Sequence, residues 1–231
     1  MMSEFNRYAI YYAPEPGPLA EFGAAWLGWD LQEGCGVTHP EIEDLPRAIA
    51  DLTATPRKYG LHGTIKAPIR LAEGRTPEQM ADSARRLCAG LAPVTTGPLT
   101  LKCMKGFLAL VPTGDLAPLS ALAGACVAGL DAFRAPPTEE ELAKRRKAPL
   151  SPAQEENLAR WGYPYVMDDF QFHITLTGRL TPGEAERTKE VLEDHVAPFT
   201  RSPFRITSLV LAGENPWGRF QTIERFPLGR G

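Results

Sequence analysis

Two short segments of the chain, residues 59–66 and 170–177, repeat one pattern: an apolar residue, a histidine, any residue, a threonine and a second apolar residue. On a β-strand, successive side chains alternate between the two faces. The first segment is therefore predicted to place His62, Thr64 and Lys66 on one face. The second segment gives a matching polar row of Gln171, His173, Thr175 and Thr177. Each row presents an imidazole that can transfer protons beside hydroxyls that can bind an oxyanion.

The two motifs, His62-Gly63-Thr64 and His173-Ile174-Thr175, resemble those of the two-histidine (2H) phosphoesterase superfamily. Members of that superfamily carry one His-x-Thr/Ser motif in each of two pseudo-symmetric lobes. The surrounding residues 59–68 and 161–178 look more like the bacterial branch found in phosphonate-utilisation operons than the RNA cyclic phosphodiesterase branch. The resemblance covers most of the chain and implies a small phosphorylated sugar as substrate, such as a ribose cyclic phosphate.

Opening a cyclic phosphodiester with water requires a base on one side of the phosphorus and an acid on the other. His62 and His173 are the candidate catalytic residues, and the near-symmetry of the motifs gives no basis for deciding which is the base. Thr64 and Thr175 are candidates to bind the equatorial oxygens, with Lys66 adding positive charge. The alternative for each motif alone is a structural histidine with a satisfied hydrogen bond. The repetition of the motif favours catalysis.

The sequence does not favour a metal or cofactor site. Neither motif has a nearby cysteine or a second histidine, whereas a metal site needs three or four converging ligands. Asp168 and Asp169 precede the second motif and are interpreted as turn residues. We therefore expect no metal ligand among the site residues and no cofactor.

A charged, proline-rich insert, residues 135–164, separates the two halves. A capping box that begins at Thr138 predicts one short helix, and Ser151 is predicted to start a second. The insert either forms two solvated linker helices or covers the cleft and supplies cations to a phosphate. In the second case Arg145 and Lys147 are the candidate phosphate ligands.

Two tyrosines are further candidates for contact with a ligand. Tyr59 begins the first motif segment, and Tyr163 lies one residue before the end of the insert. Either ring could stack on a ligand or hydrogen-bond to it, and the alternative for both is ordinary packing.

The bulk composition limits the classes of partner. The net charge is −3 and the isoelectric point is about 5.9, so the chain lacks the overall basic field that attracts long nucleic acids. The four cysteines have no Cys-x-x-Cys spacing and are interpreted as reduced thiols. The N-terminal residues lack a signal-peptide profile, and no apolar run reaches the roughly 18 residues of a membrane span. We expect a cytoplasmic protein that binds a small phosphorylated substrate and no membrane.

The order of elements repeats along the chain. Each motif strand is followed by a helix that starts at a Thr-Pro pair, near residues 76–91 and 181–198, and then by a hairpin, residues 99–111 and 204–226. Consecutive elements tend to lie side by side, so each set is expected to form its own largely antiparallel sheet with outer helices. The prediction is a single α+β domain over residues 1–231, with two pseudo-symmetric lobes around a central cleft.

The function expected from these observations is a metal-independent phosphoesterase that acts on a small cyclic or phosphorylated sugar. Its place in phosphonate metabolism is implied by the resemblance alone. One alternative is an RNA-end cyclic phosphodiesterase, and another is a non-catalytic module in which the histidines only hold the phosphate of a nucleotide or RNA. Arginine or lysine would serve that last purpose better than histidine, which is only partly charged near neutral pH.

Overall fold

A computed structural model describes residues 5–229 of the chain. This part contains ten strands: β1 (Arg7–Tyr12), β2 (Trp29–Asp30), β3 (Cys35–Gly36), β4 (Gly63–Ile69), β5 (Val94–Met104), β6 (Phe107–Pro112), β7 (Ile174–Thr175), β8 (Pro203–Ile206), β9 (Ser208–Glu214) and β10 (Phe220–Pro227). Its seven α-helices are α1 (Pro18–Leu27), α2 (Ile49–Leu52), α3 (Pro77–Ala89), α4 (Ala117–Gly129), α5 (Glu139–Arg145), α6 (Pro152–Trp161) and α7 (Pro182–Val196). Residues 1–4, on which the expectation of no signal peptide partly rests, and residues 230–231 lie outside the described residues.

Eight of the strands form one antiparallel sheet, in the order β10-β9-β1-β4-β7-β6-β5-β8. The strands that follow the two histidines, β4 and β7, are neighbours at its midline and pair at Gly63 and Ile174. We call the boundary between β4 and β7 the seam of the sheet. Four strands lie on each side of it, and each set of four forms one lobe. The predicted α+β class is therefore confirmed, and both motifs lie where the lobes meet.

The lobes exchange strands, which the sequence did not indicate. The β5–β6 hairpin follows the first motif in sequence, yet β6 pairs with β7 of the second motif. In return β9, from the second half of the chain, pairs with β1. The predicted hairpin over residues 204–226 does not begin with one strand, because its first part divides at Thr207 into β8 and β9, which lie on opposite sides of the seam. Each lobe therefore combines strands from both halves of the sequence.

The main hydrophobic core lies between the sheet and its helices. Ile10, Ile65 and Ile174 from the central strands pack there with buried side chains of α3, α4 and α7. A smaller apolar cluster, centred on Tyr11 and Phe220, forms separately from this core. The alternation of side chains along β1 separates Ile10 from Tyr11, so the second cluster belongs to the other face of the sheet.

Four helices begin at the residues that local capping rules predict. Thr76, Thr138, Ser151 and Thr181 each accept a hydrogen bond from the backbone N–H three residues later, and a Gln or Glu side chain there bonds back to the cap. These reciprocal bonds satisfy two N–H groups that a helix start leaves unpaired. Both halves of the chain and the insert therefore have helices whose starts are fixed locally.

Within residues 5–229, no helix combines the length and the apolar character needed to cross a membrane. The cytoplasmic location expected from the sequence stays a prediction.

Candidate active site

The two histidines lie beside the central strand pair. Gly63 and Ile174 are opposite one another in antiparallel register. Continued by one residue in each direction, this register places each motif histidine opposite the threonine of the other motif. His62 and His173 then lie on a diagonal, and diagonal neighbours on one face of a sheet are roughly 7–8 Å apart. A tetrahedral phosphate between them could be contacted from both sides.

Both imidazoles are held in the same way. Nδ1 of His62 lies 3.0 Å from the backbone oxygen of Gly60, and Nδ1 of His173 lies 2.8 Å from that of Gln171. Because a carbonyl oxygen only accepts, Nδ1 carries the proton in each ring, and Nε2 of the neutral ring has a lone pair. Nε2 of His62 lies 3.2 Å from Oγ1 of Thr64, whose hydroxyl donates to it. Nε2 is therefore the ring atom of each histidine that could accept a proton.

His62 lies among aromatic rings of the smaller cluster. Its ring centroid is 4.1 Å from that of Tyr11 and 5.5 Å from that of Tyr59, and Phe220 packs against both tyrosines. Burial disfavours the charged imidazolium and lowers the pKa of His62 to about 4. The hydrogen bond from Nδ1 opposes this effect, and the proximity of His173 adds to it. His62 is therefore neutral at neutral pH.

Two glycines allow the first motif to adopt this position. Gly60 has a φ of 67°, and a Cβ there would lie 2.7 Å from Cβ of Leu31. Only glycine adopts this conformation readily, and it turns the Gly60 carbonyl toward His62. At Gly63 an added Cβ would collide with the ring of Phe172 from the second motif segment. The central residue of the first motif is therefore fixed by the close approach of the two motifs.

A cavity of about 330 Å³ opens over both motifs. Seven of the nine site residues predicted from the sequence line it: Tyr59, His62, Thr64, Arg145, Tyr163, His173 and Thr175. The Arg145 guanidinium carbon is 4.5 Å from the centroid of the Tyr163 ring. The end of α5 and the last residues of the insert therefore lie at the cavity. This position favours the interpretation in which the insert covers the cleft over the one in which it forms two solvated linker helices.

Lys66 is not in the cavity, contrary to the shared face predicted for it. The β1–β4 pairing shifts between Thr64 and Lys66, because Tyr11 is opposite Thr64 and Ile10 is opposite Lys66, which leaves Ile65 as an extra residue. Such a bulge reverses the alternation of side chains beyond it. Lys66 is consequently buried, with Nζ donating to the Val127 oxygen at 3.0 Å.

The surroundings of Lys66 are those of a structural residue. Nζ also lies 3.6 Å from a carboxylate oxygen of Asp131. Burial lowers the pKa of the Lys66 ammonium to about 8, and this effect outweighs the attraction of Asp131. The positive charge at the cavity must come from other residues.

Lys147 lies on the exposed surface of the insert and does not line the cavity. The preceding Arg146 turns away as well and pairs with Glu155 of α6 at 2.8 Å. Of the two basic candidates in the insert, the structure brings only Arg145 to the motifs.

Sequence reasoning missed several lining residues, chiefly Arg7 and Tyr11 on β1. Arg7 donates two hydrogen bonds to the Glu214 carboxylate, at 2.6 and 2.5 Å. Tyr11 is opposite Thr64 in the sheet. Its hydroxyl is buried and has no hydrogen-bond partner within residues 5–229. The alternation along β1 could have placed Arg7 and Tyr11 on one face, but nothing in the sequence indicates that β1 lies beside β4.

Phe107 and Arg179 complete the side of the cavity near the second motif. The Phe107 ring centroid is 5.7 Å from that of His173. Thr177, which the sequence placed in the polar row, also lines the cavity, and its Oγ1 accepts from the backbone N–H of Leu108. In the described part of the chain, no three His, Cys, Asp or Glu side chains come together in a way that could hold a metal ion.

The two motifs occupy corresponding positions in the fold. Two His-x-Thr motifs lie one on each side of the seam of a bilobal α+β sheet, over one cavity. This is the arrangement that the sequence resemblance to the 2H phosphoesterases leads us to expect. The chain belongs to the family described as "Protein of unknown function (DUF1045)", whose model matches residues 64–221.

One curated relative is a protein named ribose 1,5-bisphosphate phosphokinase PhnN from Janthinobacterium sp. (strain Marseille). It is 38% identical over 230 residues, which are 96% of this chain and 51% of the relative. The chain therefore spans about half the length of this relative. Among solved structures, the chain is similar to a phosphoesterase with 15% identity, covering 98% of this chain and 99% of the other, at a TM-score of 0.45. It is also similar to E. coli LigT complexed with NADP+, with 16% identity, the same coverage and a TM-score of 0.45.

Proposed function

We propose that the chain is a metal-independent phosphoesterase that opens a cyclic phosphodiester on a small phosphorylated sugar. The observation that carries the proposal is the matched state of the two imidazoles. Each donates from Nδ1 to the carbonyl two residues earlier, which leaves Nε2 of each ring to exchange a proton at one cavity. Two such groups supply the base and the acid that the reaction needs.

The burial of His62 supports different roles for the two histidines, which the sequence left equivalent. Burial keeps His62 neutral, so its Nε2 can accept a proton from water as the oxygen of that water attacks phosphorus. The bond from phosphorus to the opposite ring oxygen then breaks. His173, protonated on both nitrogens, donates the Nε2 proton to the leaving alkoxide. In this scheme His62 is the general base and His173 the general acid.

Other residues that line the cavity would bind the negatively charged phosphoryl oxygens. The Thr175 hydroxyl is one donor, and the Thr64 hydroxyl becomes another once the attacking water replaces its hydrogen bond to Nε2 of His62. Arg145 supplies a guanidinium that has no carboxylate partner in the described part of the chain. Because a guanidinium can bind two phosphate oxygens at once, Arg145 would orient the substrate as well as neutralise it.

The substrate class is supported by the resemblance to the phosphonate-operon branch and by the name of the PhnN relative, which contains a phosphorylated ribose. This sequence contains no G-x-x-x-x-G-K-[ST] phosphate-binding loop. We therefore assign the phosphokinase in that name to the part of the relative that this chain does not cover. The part that matches would then act on a related sugar phosphate, in phosphonate metabolism.

An RNA-end cyclic phosphodiesterase is the second candidate, because the same two histidines could open a terminal cyclic phosphate. A module that only binds phosphate is less well supported. A histidine held neutral by a pKa of about 4 adds no charge to phosphate binding, so the burial of His62 suits proton transfer better than affinity.

The test compares hydrolysis of ribose and mononucleotide cyclic phosphates with hydrolysis of the same group at the end of an oligonucleotide, over a salt series. Small-molecule turnover that equals or exceeds that of the oligonucleotide, with little dependence on salt, would support the proposal. A large, salt-sensitive advantage for the oligonucleotide would replace it with RNA-end processing. Absence of hydrolysis of every cyclic phosphate by folded protein would contradict both.

A further inference from the structure

A second cavity adjoins the one over the histidines. Its volume is about 210 Å³, and it lies between β4 and the insert helices α5 and α6. Four residues line both cavities: Arg7, Tyr59, Pro68 and Arg145. A ligand that fills the first cavity can therefore extend into the second past these shared residues.

The second cavity is strongly basic although the whole chain is acidic. Six cationic side chains line it, against the single carboxylate of Glu141: Arg7, Lys58, Arg70, Arg134, Lys144 and Arg145. Carboxylates already pair with three of the six, since Arg7 binds Glu214, Arg70 binds Glu141 and Arg134 binds Asp131. Arg70 thus already neutralises the charge of Glu141.

Lys58, Lys144 and Arg145 remain. Across residues 5–229, none of these three forms an ion pair with a carboxylate. Lys58 lies over the ring of Tyr59, with Nζ 4.6 Å from the ring centroid, and Arg145 lies over Tyr163. Aromatic faces hold these two cations without neutralising them. Three unneutralised cations around one small cavity favour a ligand with more than one negative charge.

We propose that this cavity binds a second phosphate of the same substrate, a phosphate monoester carried on the sugar whose cyclic phosphate lies between the histidines. The inference rests on the proposed function and narrows its substrate class to sugars with two phosphate groups. Arg145, which lines both cavities, would lie between the two phosphates.

A monoester dianion fits the cavity better than the backbone of an RNA strand. The cavity is small and is bounded by the insert, where Glu141 of α5 binds Arg70, the residue that follows β4. An RNA diester carries one charge per phosphate and binds along a continuous basic track. A dianion instead concentrates its charge within reach of three cations.

The binding test needs no catalysis. Isothermal titration of the full chain with ribose 1,5-bisphosphate, ribose 5-phosphate and inorganic phosphate compares ligands with two phosphates and with one. We expect the bisphosphate to bind at least roughly tenfold more tightly than either monophosphate, because charge-assisted hydrogen bonds to the second phosphate contribute that much or more. Lys58→Met with Lys144→Met should remove most of that advantage.

Lys147→Met is the matched control for Lys144→Met alone, because each change removes one positive charge from an exposed position of the insert and Lys147 lines neither cavity. It should leave the bisphosphate advantage unchanged. Equal affinity of the wild-type protein for bisphosphate and monophosphate would overturn the proposal. So would an equal loss in Lys147→Met, because that result would indicate a general effect of net charge.

Two further arms separate this proposal from the proposed function. The bisphosphate advantage should persist in His62→Ala with His173→Ala, because neither histidine lines the second cavity. Tight bisphosphate binding by a wild-type protein that hydrolyses no cyclic phosphate would uphold the second phosphate site while contradicting the phosphoesterase. Hydrolysis of cyclic phosphates with no preference for a second phosphate on the sugar would do the reverse. A dinucleotide that matched the affinity of the bisphosphate would overturn the choice of a monoester and identify the ligand as an RNA phosphate.

Discussion

Acidification is expected to destabilise the protein through His62. Burial beside Tyr11 and Tyr59 lowers its pKa from 6.5 to about 4. Between these values the unfolded chain binds a proton on this residue and the folded protein does not. The difference corresponds to about 3 kcal/mol, because each tenfold change in proton affinity is worth about 1.4 kcal/mol.

The sign of the effect follows from the lowered pKa. This contribution to the free energy of unfolding is fully present above about pH 6.5 and is lost as the pH falls toward 4. Below about pH 4 both states are protonated and no further loss occurs. Between pH 7.0 and pH 4.5 the expected loss from this residue alone is roughly 2–3 kcal/mol.

Urea denaturation of the wild-type protein and of His62→Asn at these two pH values measures the loss. Asparagine keeps an N–H donor near the position of Nδ1 and does not titrate, so His62→Asn should lose roughly 2–3 kcal/mol less than the wild-type protein. His173→Asn, the equivalent change in the other motif, should keep most of the wild-type loss. Equal pH dependence in the wild-type protein and His62→Asn would refute the conclusion that burial keeps His62 neutral.

Three further predictions concern activity and packing at the seam. His62→Ala and His173→Ala should each lower kcat about a hundredfold or more, with the protein still folded by circular dichroism. Thr64→Val should lower kcat by a smaller factor. Near-normal turnover in either alanine variant would contradict acid–base catalysis by the pair. Treatment with EDTA should leave hydrolysis unchanged, and activity that is lost on chelation and restored by zinc would show that the metal-free mechanism is wrong. Gly63→Ala should lower the free energy of unfolding by about 1–3 kcal/mol in thermal or urea denaturation, because the new methyl group displaces the ring of Phe172. Unchanged stability would show that the two motifs pack less closely than the structure indicates.

The features that the sequence predicted correctly depend on residues close together in the chain. The capping boxes at Thr76 and Thr181 each involve residues within one helical turn, so the starts of α3 and α7 can be found from short patterns. The two histidines were identified for a similar reason. Each motif carries its chemistry and its strand signal within a few residues, and only their repetition had to be noticed.

The features that were missed depend on contacts between distant residues. Lys66 was placed in the cavity because strict alternation was continued past Thr64, and the bulge at Ile65 depends on β1, which lies more than fifty residues earlier. Arg7 and Tyr11 reach the cavity through the same pairing. The exchange of hairpins between lobes could not be inferred either, since the rule that neighbours in sequence are neighbours in space predicts the opposite arrangement.

The exchange of strands gives the chain the topology of a domain-swapped dimer contained in one polypeptide. Each half of the chain contributes one motif strand and one hairpin, and the β5–β6 and β9–β10 hairpins are exchanged between the two lobes. The insert, with α5 and α6, connects the two halves. A chain cut between α5 and α6 would leave a first fragment with β1, β4, β5 and β6 but without β7 or β9. Neither fragment could form a complete lobe alone. Recovery of the proposed phosphoesterase turnover after mixing two such fragments would therefore measure mutual assembly, because each fragment supplies one histidine and the strands that position the other.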